Sequence, residues 1–498
     1  HEPPRPPGGA PVPAKLTESA EQRRASGARL CQYRTSPPMK YISLGDTDEI
    51  AASCHHLTFG GTGLILDAGM DPDKDGYAAV PPFELLKSRP VDHVVITHAH
   101  HDHLGSLPVL SQEVPHAQIH MSRPTALLAE MLLPSSARLQ KRRVREGSTT
   151  TAPVFDVEMA EALSYLYDTH LLDTPFDLRG RKAEGPLAGT FYHASHVLGA
   201  VGLMIDGYDG GTRKRVFYTS DTSLQPQTIL PEADYPAGPV DVLLLESTLG
   251  ADPDAETTSR KAEEKRLGQA MADVLAGGGV VLLPVFALGR SQDMLALIDR
   301  FKRRGLLPDD VPVYTAGSMR GVAEVYDKTR ESTPRLDPDF EVYGVDQERY
   351  PRTQKRKGEA LAKPGIFVLT SGMLFERTPS FDLARQIVSD ERHGIFFVGF
   401  SKEGSPGDRL QIAAGNGGSM VFDDDEGPVS IKARIERFRF SGHSHRQDLI
   451  EVVERINPRT VILVHGETAA KDWMKETIER EPPDVRVIVP EQGQEIEL

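Results

Sequence analysis

From Met39 onward the chain alternates short apolar runs with glycine-bearing breaks, at 41–44, 57–59, 64–66 and 94–97. Runs of this length predict strands of a sheet buried on at least one face. Residues 125–133 and 157–167 carry helical spacing, and the basic run 141–145 reads as the solvated end of a helix. Strand-like runs return at 216–219 and 242–245, each leading into an acid. A helix over 262–275 stops at Gly277-Gly278-Gly279. A buried strand at 280–284, a helix at 291–301 and strands at 313–315 and 366–370 follow. That βαβα rhythm predicts a second α/β unit with a largely parallel sheet. Past Asp423-Asp424-Asp425 the runs 435–440 and 461–464 are strand-like again, and no internal repeat is visible. The first 38 residues, rich in Pro, Gly, Ala and Arg without apolar periodicity, predict a flexible tail.

Composition narrows the class. A chain of 498 residues with 39% hydrophobic and 26% charged residues reads as a soluble globular protein of two or three domains. The longest apolar candidate, 278–288, is short and broken by Pro284, so no membrane association is expected. The N-terminus lacks the apolar core of a secretory signal. Two cysteines, Cys31 and Cys54, exclude a disulfide framework and point to the cytoplasm. The net charge of −15 argues against tight non-specific binding of nucleic acid. It does not exclude a polyanionic substrate, because a metal-lined cleft sets its own local field.

The chemistry concentrates in Thr97-His98-Ala99-His100-His101-Asp102-His103. Five ionisable side chains directly after an apolar strand cannot be packed into a core without partners. Imidazole and carboxylate are ligands suited to zinc. A loop leaving a strand end can aim His98 and His100 to one side, and Asp102 and His103 to another.

The pattern His-x-His-x-Asp-His resembles the signature of the metallo-β-lactamase superfamily, and the other motifs follow in order. Asp67, in Leu64-Ile65-Leu66-Asp67-Ala68-Gly69, matches the aspartate that orients the metal-binding loop. His196, in His193-Ala194-Ser195-His196, matches the third-motif histidine, and Asp221 matches the aspartate shared by both metals. Glu246, His443 and His465 resemble motifs A, B and C of the β-CASP family. Segments 284–290 and 403–407 resemble nucleases of the pre-mRNA 3′-end cleavage machinery and their prokaryotic relatives. One position departs from the family pattern: His445 stands where many relatives carry aspartate.

The resemblance implies an α/β fold, a metallo-β-lactamase αββα sandwich over 39–250 and 431–498 with a β-CASP domain inserted over 251–430. It implies two Zn²⁺, with Mn²⁺ as the alternative metal: His98, His100 and His196 on one, Asp102, His103 and His465 on the other, and Asp221 between them. It also implies hydrolysis of RNA phosphodiester bonds, in endonuclease or 5′-to-3′ exonuclease mode, with His443 as general acid paired with Glu246. Catalysis is therefore expected to rest on Asp102, Asp221, Glu246 and His443. Arg290, Ser371 and Gly372 are candidate substrate contacts, as are Arg320 and Arg409. The expected partner is single-stranded RNA, and a homodimer is the assembly considered. A small-molecule metallo-hydrolase, a DNA nuclease and a non-catalytic scaffold are the competing readings. His55, His56, His93, His116, His120, His170, His193 and His393 read as structural or exposed, and His101 matches no ligand position.

Overall fold

In the computed structural model, residue 1 and residues 38–45, 49–317, 319–422, 427–480 and 485–498 are described. The tail read over 1–38 (apart from its two end residues), Cys31 and the Asp423-Asp424-Asp425 run lie outside them. The short apolar runs pair into two seven-stranded sheets. In the first the order is Glu495–Glu497, Lys40–Ser43, His55–Phe59, Thr62–Leu66, His93–Ile96, Gln118–Ser122 and Tyr167–His170. In the second it is Arg486–Ile488, Thr460–Val464, Val242–Glu246, Thr212–Tyr218, Val201–Asp209, Leu187–His193 and Phe176–Asp177.

The side-chain period of two explains why these sheets stack. Tyr41, Leu57, Leu64, Leu66 and Val95 face a shared core with Leu203, Ile205, Val216, Leu244 and Ile462 of the second sheet. The alternate residues of the same strands, Ile42, Ile65, Val94 and Ile96 in one sheet and Phe217, Leu243 and Leu463 in the other, join a core with helical residues such as Leu128, Ala129, Leu449 and Val452. Each such fully buried Leu, Ile or Phe contributes about 1.5–3 kcal/mol. The result is an αββα sandwich.

A third sheet, in the order Glu348–Arg349, Val313–Thr315, Gly365–Leu369, Val280–Pro284, Gly394–Phe397 and Arg434–Arg437, is parallel throughout. Its four inner strands are buried on both faces, whereas the edge strands Glu348–Arg349 and Arg434–Arg437 are polar. Val281, Leu283 and Val368 share a cluster with Leu267, Met271 and Leu295, while Leu282, Phe367 and Ile395 share one with Leu383 and Ile387. This is the inserted α/β unit. Its edge strand Arg434–Arg437 lies beyond the boundary drawn at residue 430, and it is shorter than the 435–440 run because Phe438 and Phe440 are buried as loop residues.

Two helices differ from expectation. Arg123–Arg145 runs through Pro134, far past the stop expected at residue 133, with Leu133, Pro134 and Ala137 buried. Its basic end, Arg142, Arg143 and Arg145, occupies the last turn, where positive charge is favoured. The helix Val157–Leu163 ends early, and Tyr167 instead opens the edge strand Tyr167–His170.

The insertion point positions the chemistry. Val242–Glu246 and Thr460–Val464 are parallel neighbours with Glu246 opposite Val464. The chain thus leaves the second sheet after Glu246 and returns one strand over, ending beside it at His465. Among the described residues no helix is long and apolar enough to cross a membrane.

Candidate metal centre

The His93–Ile96 strand delivers the histidine loop, and the preceding parallel strand pins it. Asp67, at the end of Thr62–Leu66, accepts from the Thr97 backbone N–H at 2.8 Å and from Thr97 Oγ1 at 2.9 Å. It also accepts from His103 Nδ1 at 2.9 Å and from Tyr218 Oη at 2.8 Å. His98 and His100 precede the short helix His101–Leu104, whereas Asp102 and His103 lie within it, so the two pairs diverge.

Two donor groups result, and a third set, Asp221, Glu246 and His465, overlaps them. His98, His100, His196 and Asp221 offer ligand atoms within 4.8 Å of one another, as do Asp102, His103 and His465. Asp221 joins them: its Oδ2 is 3.8 Å from His98 Nε2, 3.7 Å from His196 Nε2 and 3.4 Å from His103 Nε2, and its Oδ1 is 3.2 Å from His465 Nδ1. His465 Nε2 lies 3.4 Å from Asp102 Oδ2.

Buried polar atoms without partners are rare and call for an explanation. Here His98 Nε2, His103 Nε2 and Asp221 Oδ1 are buried without a hydrogen bond, and all three are ligand atoms of this cluster. The other ring nitrogens are committed. His103 Nδ1 donates to Asp67, which leaves its Nε2 lone pair free, and His196 Nδ1 donates to the Gly442 carbonyl at 2.8 Å, which leaves its Nε2 as an acceptor, 3.0 Å from His100 Nδ1. Such outer partners are what a metal-binding imidazole needs. The donor set therefore fits a metal centre.

The electrostatics agree. Burial, reinforced by neighbouring His103, keeps His98 well below the ordinary imidazole range, and burial with His443 does the same for His196. Burial opposes the charge of Asp102 and Asp221, but the surrounding histidines outweigh it, and both carboxyls are held below their usual range. Backbone strain gathers here too. Asp67, Ser195, Ser220 and His465 have φ of +62°, +63°, +51° and +47°, a region that non-glycine residues seldom enter.

Beside the metal groups stands an acid pair. Glu246 is wholly buried and accepts from the Thr222 N–H at 2.7 Å. Its other oxygen lies 3.0 Å from His443 Nδ1. The His443 ring is 4.4 Å from that of His196 and 6.0 Å from that of His465. Burial disfavours the His443 cation, but Glu246, with Asp221 and Asp102 behind it, pushes it up to about 9.

Residues 49–258 match the metallo-β-lactamase superfamily, 291–410 the β-CASP domain, and 428–490 a domain described as the RNA specificity domain of Zn-dependent metallo-hydrolases. The chain belongs to the β-CASP family. It is 28% identical over 444 residues to the endoribonuclease YSH1 of Candida glabrata, covering 87% of this chain and 55% of that protein. It is 27% identical to an RNase J-like protein of Methanocaldococcus jannaschii, covering 85% and 91%. Integrator complex subunit 11 of Danio rerio is 24% identical, covering 89% and 72%. The chain thus spans little more than half the length of the first of these relatives. A solved Enterococcus faecalis protein of unknown function shares the fold at TM-score 0.52 and 13% identity, covering 93% of this chain and all of that one.

Within this β-CASP chain, some candidate contacts are engaged elsewhere. Arg290 borders the site, with Nη2 beside Gly442, yet it is buried at the start of the Arg290–Arg303 helix with Nη1 on Asp293 Oδ2 at 2.8 Å. Burial pushes its guanidinium down to about 10, and Asp293 also holds Arg260. Arg320 reaches the Gln347 carbonyl and the Tyr343 hydroxyl. Ser371 accepts from the Phe375 N–H through Oγ and from Ser380 Oγ through its carbonyl, and Gly372 packs on Phe286. None of these residues belongs to the metal donor groups. His445 caps the Arg446–Ile456 helix without a side-chain capping bond, and His101 is exposed.

Several supporting residues escaped the sequence reading. Tyr218 Oη holds Asp67, Thr248 Oγ1 lies 3.0 Å from His465 Nδ1, and the Gly442 carbonyl orients His196. Tyr218 carried a usable signal: a hydroxyl at the apolar end of its strand, after Val216 and Phe217, must find a buried partner.

Proposed function

We propose that this chain is a metal-dependent ribonuclease that hydrolyses RNA phosphodiester bonds. The observation that carries the reading is the buried Glu246–His443 pair standing beside two joined sets of metal donors. Relatives named endoribonuclease and RNase J-like protein support it, as does the match of 428–490. His98, His100 and His196 would hold one metal, Asp102, His103 and His465 a second, and Asp221 would be shared. The imidazole-rich set favours zinc. Bound there, divalent cations supply Lewis-acid charge at the phosphate and a water acidic enough to be a nucleophile at neutral pH.

The chain's own residues do the rest. Asp67 and the Gly442 carbonyl fix the tautomers of His103 and His196, so that Nε2 of each is the ligand atom. Glu246 engages His443 Nδ1 and favours its cation, leaving the Nε2 proton for the leaving oxygen. The Thr222 N–H keeps Glu246 in place. The proposed compartment is the cytoplasm.

A time course on single-stranded RNA labelled at either end tests the reading, with wild type and Asp102→Ala in parallel. Cleavage by wild type alone is expected, and the product ladder reads out exo or endo action. Wild type that retains metal yet leaves RNA intact, while cutting DNA or small esters, would overturn it.

A further inference from the structure

Three phenylalanines among the described residues keep more than a third of their surface in water: Phe286 at 36%, Phe375 at 43% and Phe400 at 40%. They follow three adjacent strands of the third sheet. Phe286 comes after Val280–Pro284, Phe375 after Gly365–Leu369 and Phe400 after Gly394–Phe397. Those strands are parallel, so all three loops leave the same, carboxyl edge. Open α/β sheets take their ligands at that edge.

The loops form one surface. The Val285 N–H donates to the Leu369 carbonyl and the Gly407 N–H to the Met373 carbonyl, each at 2.9 Å. Gly372 lies flat against the Phe286 ring, where an added Cβ would come within 3.2 Å of it. This edge also meets the sandwich beside the metal centre. A Cβ on Gly289 would come within 2.7 Å of Val197, the neighbour of His196. Arg377 reaches the Glu146 carbonyl and Ser148 Oγ, and Lys402 reaches Glu49 and Asp73.

A single exposed apolar residue needs no explanation. Three aromatic rings on adjacent loops of one sheet edge, an edge that reaches the neighbour of His196 through Gly289, do. Their flat faces suit flat ligands, and nucleobases offer such faces whatever their sequence. Arg377 adds a charge whose partners among the described residues are neutral acceptors, which leaves it able to meet a phosphate.

We propose that Phe286, Phe375 and Phe400 form a base-stacking edge that holds unpaired nucleotides of single-stranded RNA next to the metal centre. The proposal rests on the ribonuclease reading. It implies that the site selects single strands, because paired bases already have their faces covered.

The test is equilibrium binding by the full chain carrying Asp102→Ala, so that RNA is held rather than cut. Fluorescence anisotropy would compare an oligouridine with the same backbone bearing abasic riboses, and then repeat both with Phe286→Leu, Phe375→Leu and Phe400→Leu added singly. The bases should tighten binding about tenfold for each ring they stack on. Each leucine variant should lose most of its share for the uridine oligomer and change the abasic one less than twofold. Binding that ignores the bases, an equal base effect in all variants, or no binding at all would overturn the stacking edge. Cleavage of the oligouridine by the wild-type chain is read separately. Cutting without base coupling removes the stacking edge alone, whereas base coupling without cutting removes the ribonuclease reading and keeps the edge.

Discussion

The first sheet carries a second gathering of histidines, and it differs from the metal centre in an instructive way. His93, His120 and His170 sit on three neighbouring strands, with His93 Nδ1 to His120 Nε2 and His120 Nδ1 to His170 Nε2 both at 2.9 Å. His170 stacks on Phe176 at 3.8 Å. Here imidazole bonds imidazole along a row that Phe176 closes at His170, and His93 Nε2 is left buried without a hydrogen bond at the other end. No carboxylate takes part in its hydrogen bonds, and the row offers no group of three converging ligand atoms. At the metal centre the difference is convergence: outer partners hold one nitrogen of His103 and of His196, and although His196 Nε2 also lies 3.0 Å from His100 Nδ1, the inner nitrogens of both gather on Asp221. Histidine density does not make a metal site. Ligand atoms that converge on a shared carboxylate do.

That contrast can be broken or sharpened by substitution. The largest effect is expected at the shared carboxylate: Asp221→Ala should lose bound metal by elemental analysis and cut RNA at least about a thousandfold more slowly. His120→Gln should do neither. Next, His443→Ala should keep its metal and lose roughly 10²–10⁴ in kcat, as removal of a general acid predicts. Full activity with metal retained would remove His443 from that role. Tyr218→Phe, which preserves packing but withdraws a hydrogen bond from Asp67, should weaken metal affinity about tenfold or more in a chelator competition.

The smallest effect belongs to the histidine row. Burial, with His93 and His170 on either side, holds His120 down to about 3, below the ordinary 6.5. A depressed pKa gives stability that is present above about 6.5 and lost as pH falls toward the folded value. Denaturant unfolding between pH 6.5 and 4 should therefore show a falling midpoint. His120→Gln should flatten that slope by at most about 1.4 kcal/mol per pH unit. An unchanged slope would mean that the row is already protonated or solvated.

Much of this was legible in the chain because strand signals are local. The runs at 280–284 and 313–315 became the strands Val280–Pro284 and Val313–Thr315, and the sandwich with its α/β insert followed from the order of motifs. Pro134 reads as a helix stop because proline lacks an N–H donor, yet tertiary burial carries the helix past it. Arg290 looked available because glycine precedes it, and only its depth in the fold reveals Asp293 as its partner. The histidines of 98–103 announced themselves by density and spacing, whereas His196 and His465 came only from the resemblance of their motifs. Their supports did not: Tyr218 and the Gly442 carbonyl reach the site across 151 and 246 residues of chain, and no local pattern encodes that.

The left-handed backbone at Asp67, Ser195, Ser220 and His465 has a thermodynamic consequence. Each such residue costs about 1–3 kcal/mol, which the rest of the fold must offset. The sandwich thus carries a standing handicap, concentrated where ligands must be aimed. Its stability is held below what the same core would give with relaxed loops, and thermal robustness and catalytic geometry draw on one reserve.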